Sequence, residues 1–390
     1  MDKKQMQAWH LPWTADTVPH GVLDINRGCN ISCRSCYNSL PASFKPLDEV
    51  SSDLETLLKF RRIHSLSIVG GEITLHPDIF KIVRLLKNKG IPVEIFTNGL
   101  MLDSGFLKKL KDAGTDLIVL HVETSQKRSD LPENPTIEDC RKLIDEKVEL
   151  ISSFGVESGL SFTAHGDNLM ELEEFIRIFQ SNPKMSYMLI TLSREIAKLP
   201  EMHGNIISGL KTDVNRESSS SIIISGLPIM QKLMKDSLNL DPFAFIGSNK
   251  DRNDVRWLSY MTASLHLPDG RSRYHSCRVS LVEKLYMALY FRIKGRDPFY
   301  NTQSPLLFRL QLLLNAVSGG FSSGIMGLLF RSMKPGAKLR AKRILFQCPA
   351  EIGPDGTVIH CENCPDATVK NGQLVPLCIA DRITKTDNPT

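Results

Sequence analysis

Between residues 22 and 193 the hydrophobic pattern changes period again and again. Short apolar runs at 22–26, 65–69, 93–97, 117–122, 159–164 and 186–192 read as buried strands. The stretches between them, at 47–61, 78–89, 103–113, 136–152 and 169–180, space their apolar residues for a helix. Leu47, Val50, Leu54, Leu57 and Leu58 are one such face. Six strands alternating with five helices predict an α/β fold with a parallel sheet and right-handed crossovers.

The first strand runs directly into Arg27-Gly-Cys29-Asn-Ile-Ser-Cys33-Arg-Ser-Cys36-Tyr37. Cys29, Cys33 and Cys36 also fit one stripe of a buried helix, but the residues between them are small or polar, which favours a loop. Three thiolates on one loop can hold three irons of a [4Fe–4S] cube and leave the fourth iron open, and soft thiolates favour such clusters. An open metal position is the mark of a catalytic site. Two further segments follow in order: the strand ending in Gly70-Gly71-Glu72, with Ile73-Thr-Leu-His-Pro77 after it, and the strand ending in Thr97-Asn98-Gly99.

The Cys-x3-Cys-x2-Cys-aromatic spacing, the Gly-Gly-Glu turn and the Thr-Asn-Gly turn together resemble the radical S-adenosylmethionine (SAM) enzymes. The resemblance implies a partial (β/α)6 TIM-like barrel with its site at the strand C-termini. It implies that SAM chelates the open iron and is reductively cleaved to methionine and a 5′-deoxyadenosyl radical that abstracts a substrate hydrogen. Carried over residue by residue, it makes Tyr37, Gly70, Gly71, Glu72 and Asn98 cofactor-binding, with the Gly70–Glu72 turn receiving the SAM ammonium. It also points to polar groups at the later strand ends. Glu123 is preferred over His121 and Thr124, Thr163 over His165, and Arg194 is a partner for the SAM carboxylate. A polar residue at a strand end can equally be solvated or cap the next helix.

A second set of cysteines closes the chain: Cys348, Cys361, Cys364 and Cys378. Pro354-Asp355-Gly356 reads as a hairpin turn that brings Cys348 and Cys361 to adjacent strand ends. Four such cysteines fit a structural zinc ribbon. The hairpin also resembles the SPASM and twitch extensions of radical SAM enzymes, and this implies a single auxiliary [4Fe–4S] cluster. Cys277 is a substitute ligand in that reading; otherwise it and Cys140 read as buried thiols.

The remaining chain carries fewer signals. Residues 200–255 contain the linker-like Ser218–Ser221, and 261–274 reads as a hairpin turning at Pro268-Asp-Gly270. Residues 310–330 hold no charged side chain for 21 positions; Arg331, Lys334, Lys338, Arg340, Lys342 and Arg343 follow. Interrupted by Gly319-Gly320, this segment reads either as a helical hairpin lying on a membrane, with peripheral contact through 310–343, or as two core helices over the barrel mouth. The expected organisation is an N-terminal arm (1–20), a core barrel (21–200), a linker and apolar/basic helical insertion (201–344) and a small cysteine-rich α+β domain (345–390).

At 390 residues, 42% hydrophobic and 23% charged, the chain can bury a large core. Its polar opening, Met1-Asp-Lys-Lys-Gln, and seven of nine cysteines in metal-like spacings predict a reduced, cytoplasmic setting, with an inner membrane face as the peripheral variant. A net charge of +5 without a basic, aromatic-interleaved stripe predicts no nucleic-acid partner. The expected partners are a flavodoxin or ferredoxin reductant and a small-molecule, lipid or peptide substrate. The favoured activity is hydrogen abstraction from an unreactive C–H bond of a lipid-like or hydrophobic metabolite. The alternatives are peptide maturation and, from another class, a non-catalytic iron–sulfur or zinc scaffold.

Overall fold

The computed structural model describes residues 8–38, 41–193, 202–205, 209–211, 231–295, 305–317, 323–353 and 355–383. Strands β1 (His20–Asn26), β2 (Ser65–Gly70), β3 (Val93–Thr97), β4 (Leu117–His121), β5 (Glu157–Ala164) and β6 (Met185–Leu192) lie side by side in chain order. Every neighbouring pair is parallel. Helices α1 (Leu47–Phe60), α2 (Ile79–Asn88), α3 (Ser104–Ala113), α4 (Ile137–Ser153) and α5 (Leu172–Ser181) fill the crossovers.

Local chemistry starts and stops these helices. Asp103 accepts from the Phe106 amide at the head of α3, and Thr136 and Asp139 form a reciprocal capping box on α4. Each helix lays its apolar stripe on the sheet, as α2 does with Ile79, Ile82, Val83 and Leu86. Burying each such side chain contributes about 1.5–3 kcal/mol. On the other face of the sheet, Val22, Ser67, Phe96, His121, Ser161 and Leu189 from successive strands line one cavity. The sheet is therefore curved into a partial barrel.

The sheet continues past residue 200, which corrects the boundary drawn there. Strands β7 (Trp257–His266), β8 (Ser272–Cys277) and β9 (Lys338–Gln347) belong to it. β9 runs parallel beside β6, and β7 pairs antiparallel with both β9 and β8. The 201–344 segment is thus no mere linker and helical insertion. The run of basic residues conceals a period of two, with Lys338, Arg340 and Lys342 alternating with Leu339, Ala341 and Arg343 along β9. Lys342 is fully buried, and its Nζ donates to the carbonyls of Phe179 (2.6 Å), Gln180 (3.1 Å) and Asn182 (2.5 Å). Arg340 pairs with Glu157 at 3.1 Å, and Arg343 stacks over the Tyr187 ring. These three residues stitch the sheet, so they do not form the expected basic membrane face.

The helices before β9 are α6 (Leu281–Lys294), α7 (Pro305–Val317) and α8 (Ser323–Arg331). Gly319-Gly320 lies outside the described residues. Phe308, Leu312, Ile325 and Leu328 share an apolar cluster with Ala263, Leu265 and Leu339. His266, next to Leu265, pairs with Lys338 at the start of β9. Tyr290 of α6 meets His64, just before β2. The helices therefore cover the strand N-terminal end, and the expectation that they cover or present the barrel mouth is corrected. Among the described residues no helix is long and apolar enough to cross a membrane.

After β9 the short strands Glu351–Ile352 and Val358–Ile359 form a hairpin, with Gly356 at φ +77° in its turn. A second hairpin, Ala367–Lys370 with Gln373–Pro376, and a 3₁₀ turn, Leu377–Arg382, follow. This small module touches both ends of the open sheet. Cys361 bridges to Ser248 near one end, and Ala367–Lys370 packs on β1 and α1 at the other.

Candidate active site

β1 delivers the chain to the cysteine loop at the rim. There Ser32–Cys33 pairs with Gln126–Lys127, and the Cys36 amide donates to the Cys33 carbonyl. Cys29 and Cys36 are exposed and Cys33 is half-buried. The Gly-Gly turn after β2 is pressed against this loop. A Cβ on Gly71 would lie 2.1 Å from the Gly28 carbonyl oxygen, and one on Gly70 2.5 Å from that of Asn26, so only glycine fits. The Glu72 amide donates to the Gly28 carbonyl at 2.7 Å, and Asn26 Nδ2 donates to the carbonyls of Gly28 and Glu72. Tyr37 OH donates to the Gly70 carbonyl at 2.9 Å. Burial holds this phenol well above its usual range.

The Glu72 carboxylate, at the cavity wall, is already engaged by protein donors. Oε1 accepts from the Thr74 amide (3.0 Å), the Thr74 hydroxyl (2.5 Å) and the Thr97 hydroxyl (2.6 Å), and Oε2 from the Asn98 amide (2.7 Å). The residue is 1% exposed. It binds the two turns to each other. Asn98 in turn donates through Nδ2 to Asn30 Oδ1 in the cysteine loop at 2.8 Å, and its carbonyl accepts from Arg128.

Glu123 is likewise committed. It accepts from Ser125 and from the Thr163 amide, and lies 3.6 Å from His121. Burial works against charge on His121, but Glu123 and the Cys33 thiol outweigh it and push the imidazole up to about 10. Burial likewise raises the Glu123 carboxyl, but His121 overrides it and the balance lies below the usual range. Glu123, Thr163 and His121 all reach the cavity wall, Thr124 and His165 do not, and Arg194 lies outside the described residues.

All seven cysteines of the two sets line a single cavity of about 260 Å³. Cys29, Cys33 and Cys36 form one wall, and Cys348, Cys361, Cys364 and Cys378 another. Cys277 is instead buried in an apolar cluster behind β8, and Cys140 in α4. Burial raises the Cys29 and Cys36 thiols and pushes Cys348 up to about 12. A hydrogen bond from Cys364, then burial, holds Cys361 well above its usual range. Thiols raised by neighbouring thiols and burial are a donor set that a multiply charged metal centre deprotonates. They fit an iron–sulfur cluster at each wall. Among the described residues, no three or more Cys, His, Asp or Glu side chains converge as a site for a single metal ion.

Several cavity residues are not visible in the sequence patterns. Gln347 and Asp366 hydrogen-bond to each other, and burial pushes the Asp366 carboxyl up to about 7. Ser67 and Thr191 add polar groups from β2 and β6. Arg27, directly before Gly28, pairs with Asp24 at 2.5 Å and with Asp381 at 2.6 Å. Its place beside the cysteine motif is the only signal that marks it.

The sequence model of the Radical SAM superfamily matches residues 23–179. A "Probable GTP 3′,8-cyclase" of Methanococcus maripaludis is 28% identical over 135 residues, 33% of this chain and 45% of that protein. Fe-coproporphyrin III synthase of Methanosarcina barkeri is 24% identical over 182 residues, 44% of this chain and 43% of that one. The chain thus spans less than half the length of these curated relatives. The crystal structure of Streptococcus suis SuiB bound to S-adenosylmethionine aligns with a TM-score of 0.40 at 16% identity, over 58% of this chain and 48% of that one. The matched segment contains the cysteine loop and both glycine turns, so residues 23–179 are similar to the radical SAM superfamily, enzymes that use S-adenosylmethionine and a [4Fe–4S] cluster.

Proposed function

We propose that the chain abstracts hydrogen from an unreactive C–H bond of a hydrophobic metabolite held between its two cysteine sets. The observation that carries this reading is the single cavity lined by all seven cysteines, to which Val22, Val69, Phe96, Leu189, Leu192 and Leu377 add apolar wall beside the polar groups at the strand ends. Cys29, Cys33 and Cys36 would hold a [4Fe–4S] cluster that, with SAM and one electron from a flavodoxin or ferredoxin, supplies a 5′-deoxyadenosyl radical. Cys348, Cys361, Cys364 and Cys378 would hold an auxiliary cluster with every iron ligated, suited to passing an electron or to fixing the C-terminal module around substrate. Gly70 and Gly71 let the turn approach the cysteine loop, Glu72 and Asn98 brace it, and Tyr37 anchors its far end. Glu123 and Thr163 border the space that SAM would fill. Arg194 keeps the proposed role of carboxylate partner.

Peptide modification is the second reading, favoured by the four-cysteine extension, which resembles those of peptide maturases. Anaerobic reconstitution tests the common core of both. The loaded chain should bind about eight irons and release 5′-deoxyadenosine when reduced with SAM. Changing Cys29, Cys33 and Cys36 together to Ala should remove about four irons and all cleavage; cleavage that survives overturns the assignment.

A further inference from the structure

Three helices at the strand N-terminal end of the barrel carry an apolar surface that the proposed reaction does not use. On α6, Leu281, Leu285, Leu289 and Ile293 are 71%, 71%, 58% and 67% exposed. Spaced by four residues, they form one continuous ridge. The core side of α6 is a different one: Met287 is buried there, and Glu283 is turned inward to cap Ser280. α7 packs against both α6 and α8. It exposes Leu306, Leu310 and Leu313, and α8 with the turn after it exposes Met326, Phe330 and Met333. Exposed apolar surface on this scale marks an interaction face.

Charge indicates its partner. Residues 280–337 include seven Lys or Arg and two acids, Glu283 and Asp297, and Glu283 is buried in its cap. Lys284, Arg292 and Lys294 flank the ridge on α6, and Arg331 and Lys334 follow at the end of α8. A second copy of the chain would set these cations against one another, and like charges across an interface oppose pairing. Aliphatic side chains bordered by cations are what the boundary between headgroups and acyl chains of an anionic bilayer accepts.

We infer that α6, α7 and α8 form a docking face for an anionic bilayer surface. Leu281, Leu285, Leu289 and Ile293 enter the headgroup boundary, and Lys284, Arg292, Lys294, Arg331 and Lys334 meet the phosphates. The helices share no residue with the cysteine-lined cavity, so the docking is independent of the reaction proposed above. The face lies at the opposite end of the strands from the cysteine loop. A docked chain would therefore present its cavity to water, and substrate would reach it from that side.

Cosedimentation of the full chain with vesicles tests the inference. Phosphatidylcholine vesicles containing phosphatidylglycerol should carry the chain down at low salt. Binding should weaken at least ~10-fold with phosphatidylcholine alone or at high salt, where headgroup attraction is screened. Leu285→Glu with Leu289→Glu should abolish sedimentation. Lys284→Gln, Arg292→Gln and Lys294→Gln together should weaken it by ~10-fold or more. If the glutamate pair fails to fold by circular dichroism, the glutamine triple carries the test alone. A chain that stays in the supernatant with anionic vesicles at low salt overturns the inference, as does wild-type binding by the folded variants. A solution dimer that these variants dissociate, and that vesicles do not displace, would assign the face to a second copy instead.

Discussion

Glu72→Gln separates two accounts of the Gly-Gly-Glu turn. The carboxylate accepts four hydrogen bonds, from Thr74 N, Thr74 Oγ1, Thr97 Oγ1 and Asn98 N. Glutamine keeps one acceptor oxygen and puts an NH₂ where the other stood. If the oxygen stays with the threonines, the NH₂ faces the Asn98 amide, donor against donor at what was 2.7 Å. Turned over, it faces the Thr74 amide instead. Hydroxyls can rotate away from such a clash, but a backbone amide cannot. Either rotamer leaves one buried amide unpaired, at about 1–3 kcal/mol, and strips the charge assistance from the other bonds, at about 1 kcal/mol more. The expected loss is about 3 kcal/mol, a large share of the 5–15 kcal/mol that typically separates folded from unfolded chains. Urea titration by circular dichroism should show it, and SAM affinity, measured by anaerobic calorimetry on the reconstituted protein, should fall alongside. Were the carboxylate the partner of the SAM ammonium, affinity would drop at unchanged stability. A variant within about 0.5 kcal/mol of the parent refutes the bracing role.

Three further outcomes are expected. His20 sits between Ser65 and Ser67, and burial, with Arg343 and Arg61 nearby, pushes its imidazole down to about 3 from 6.5. A lowered pKa makes this contribution complete above pH 6.5 and lost as the pH falls toward 3, by up to about 1.4 kcal/mol per pH unit. His20→Gln should flatten the acid limb of urea midpoints between pH 7 and 5, and identical limbs would contradict this. Lys342→Met removes the donor to three carbonyls and should cost about 2–4 kcal/mol, read as a fall in the thermal midpoint. An unchanged midpoint would mean those carbonyls find other partners. Cys361→Ala with Cys364→Ala should lower iron from about eight to about four per chain, whereas one zinc lost at constant iron would identify a ribbon.

The parallel core was legible because its strands are continuous apolar runs and its helices have apolar stripes, with side-chain caps at the heads of α3 and α4. The rim was legible for a related reason: glycine is required where the turn after β2 meets the Gly28 carbonyl, and a local pattern shows it. What Glu72 does was not legible. Its partners Thr97 and Asn98 stand 25 and 26 residues away, and only the parallel register of β2 beside β3 brings them together. β9 was missed because counting its cations as a block obscured the alternation that marks a strand, and Lys342 breaks the rule that a lysine faces water. Gln347 and Asp366 carry no motif at all. They meet at the cavity because the end of β9 and the C-terminal module converge there.

Two cysteine sets on one cavity need a fixed relation to each other, and the chain supplies it with a buried cation. Arg27 leads into Gly28 and Cys29, Asp24 belongs to β1, and Asp381 lies three residues after Cys378 in the C-terminal 3₁₀ turn. One guanidinium holds both carboxylates, at 2.5 and 2.6 Å, and all three side chains are largely shielded from water. Burial, together with the second acid, outweighs Arg27 and lifts Asp24 to about 6. A cation shared by two acids at such depth is an expensive way to gain stability, since an apolar replacement of similar volume does as well or better. The ion pair to Asp381 ties the cysteine loop to the C-terminal module, while the hydrogen bond from Arg27 to Asp24 anchors the guanidinium on β1. The same logic covers Glu72 and Arg128. Around this rim, the buried charges serve to hold one backbone segment against another.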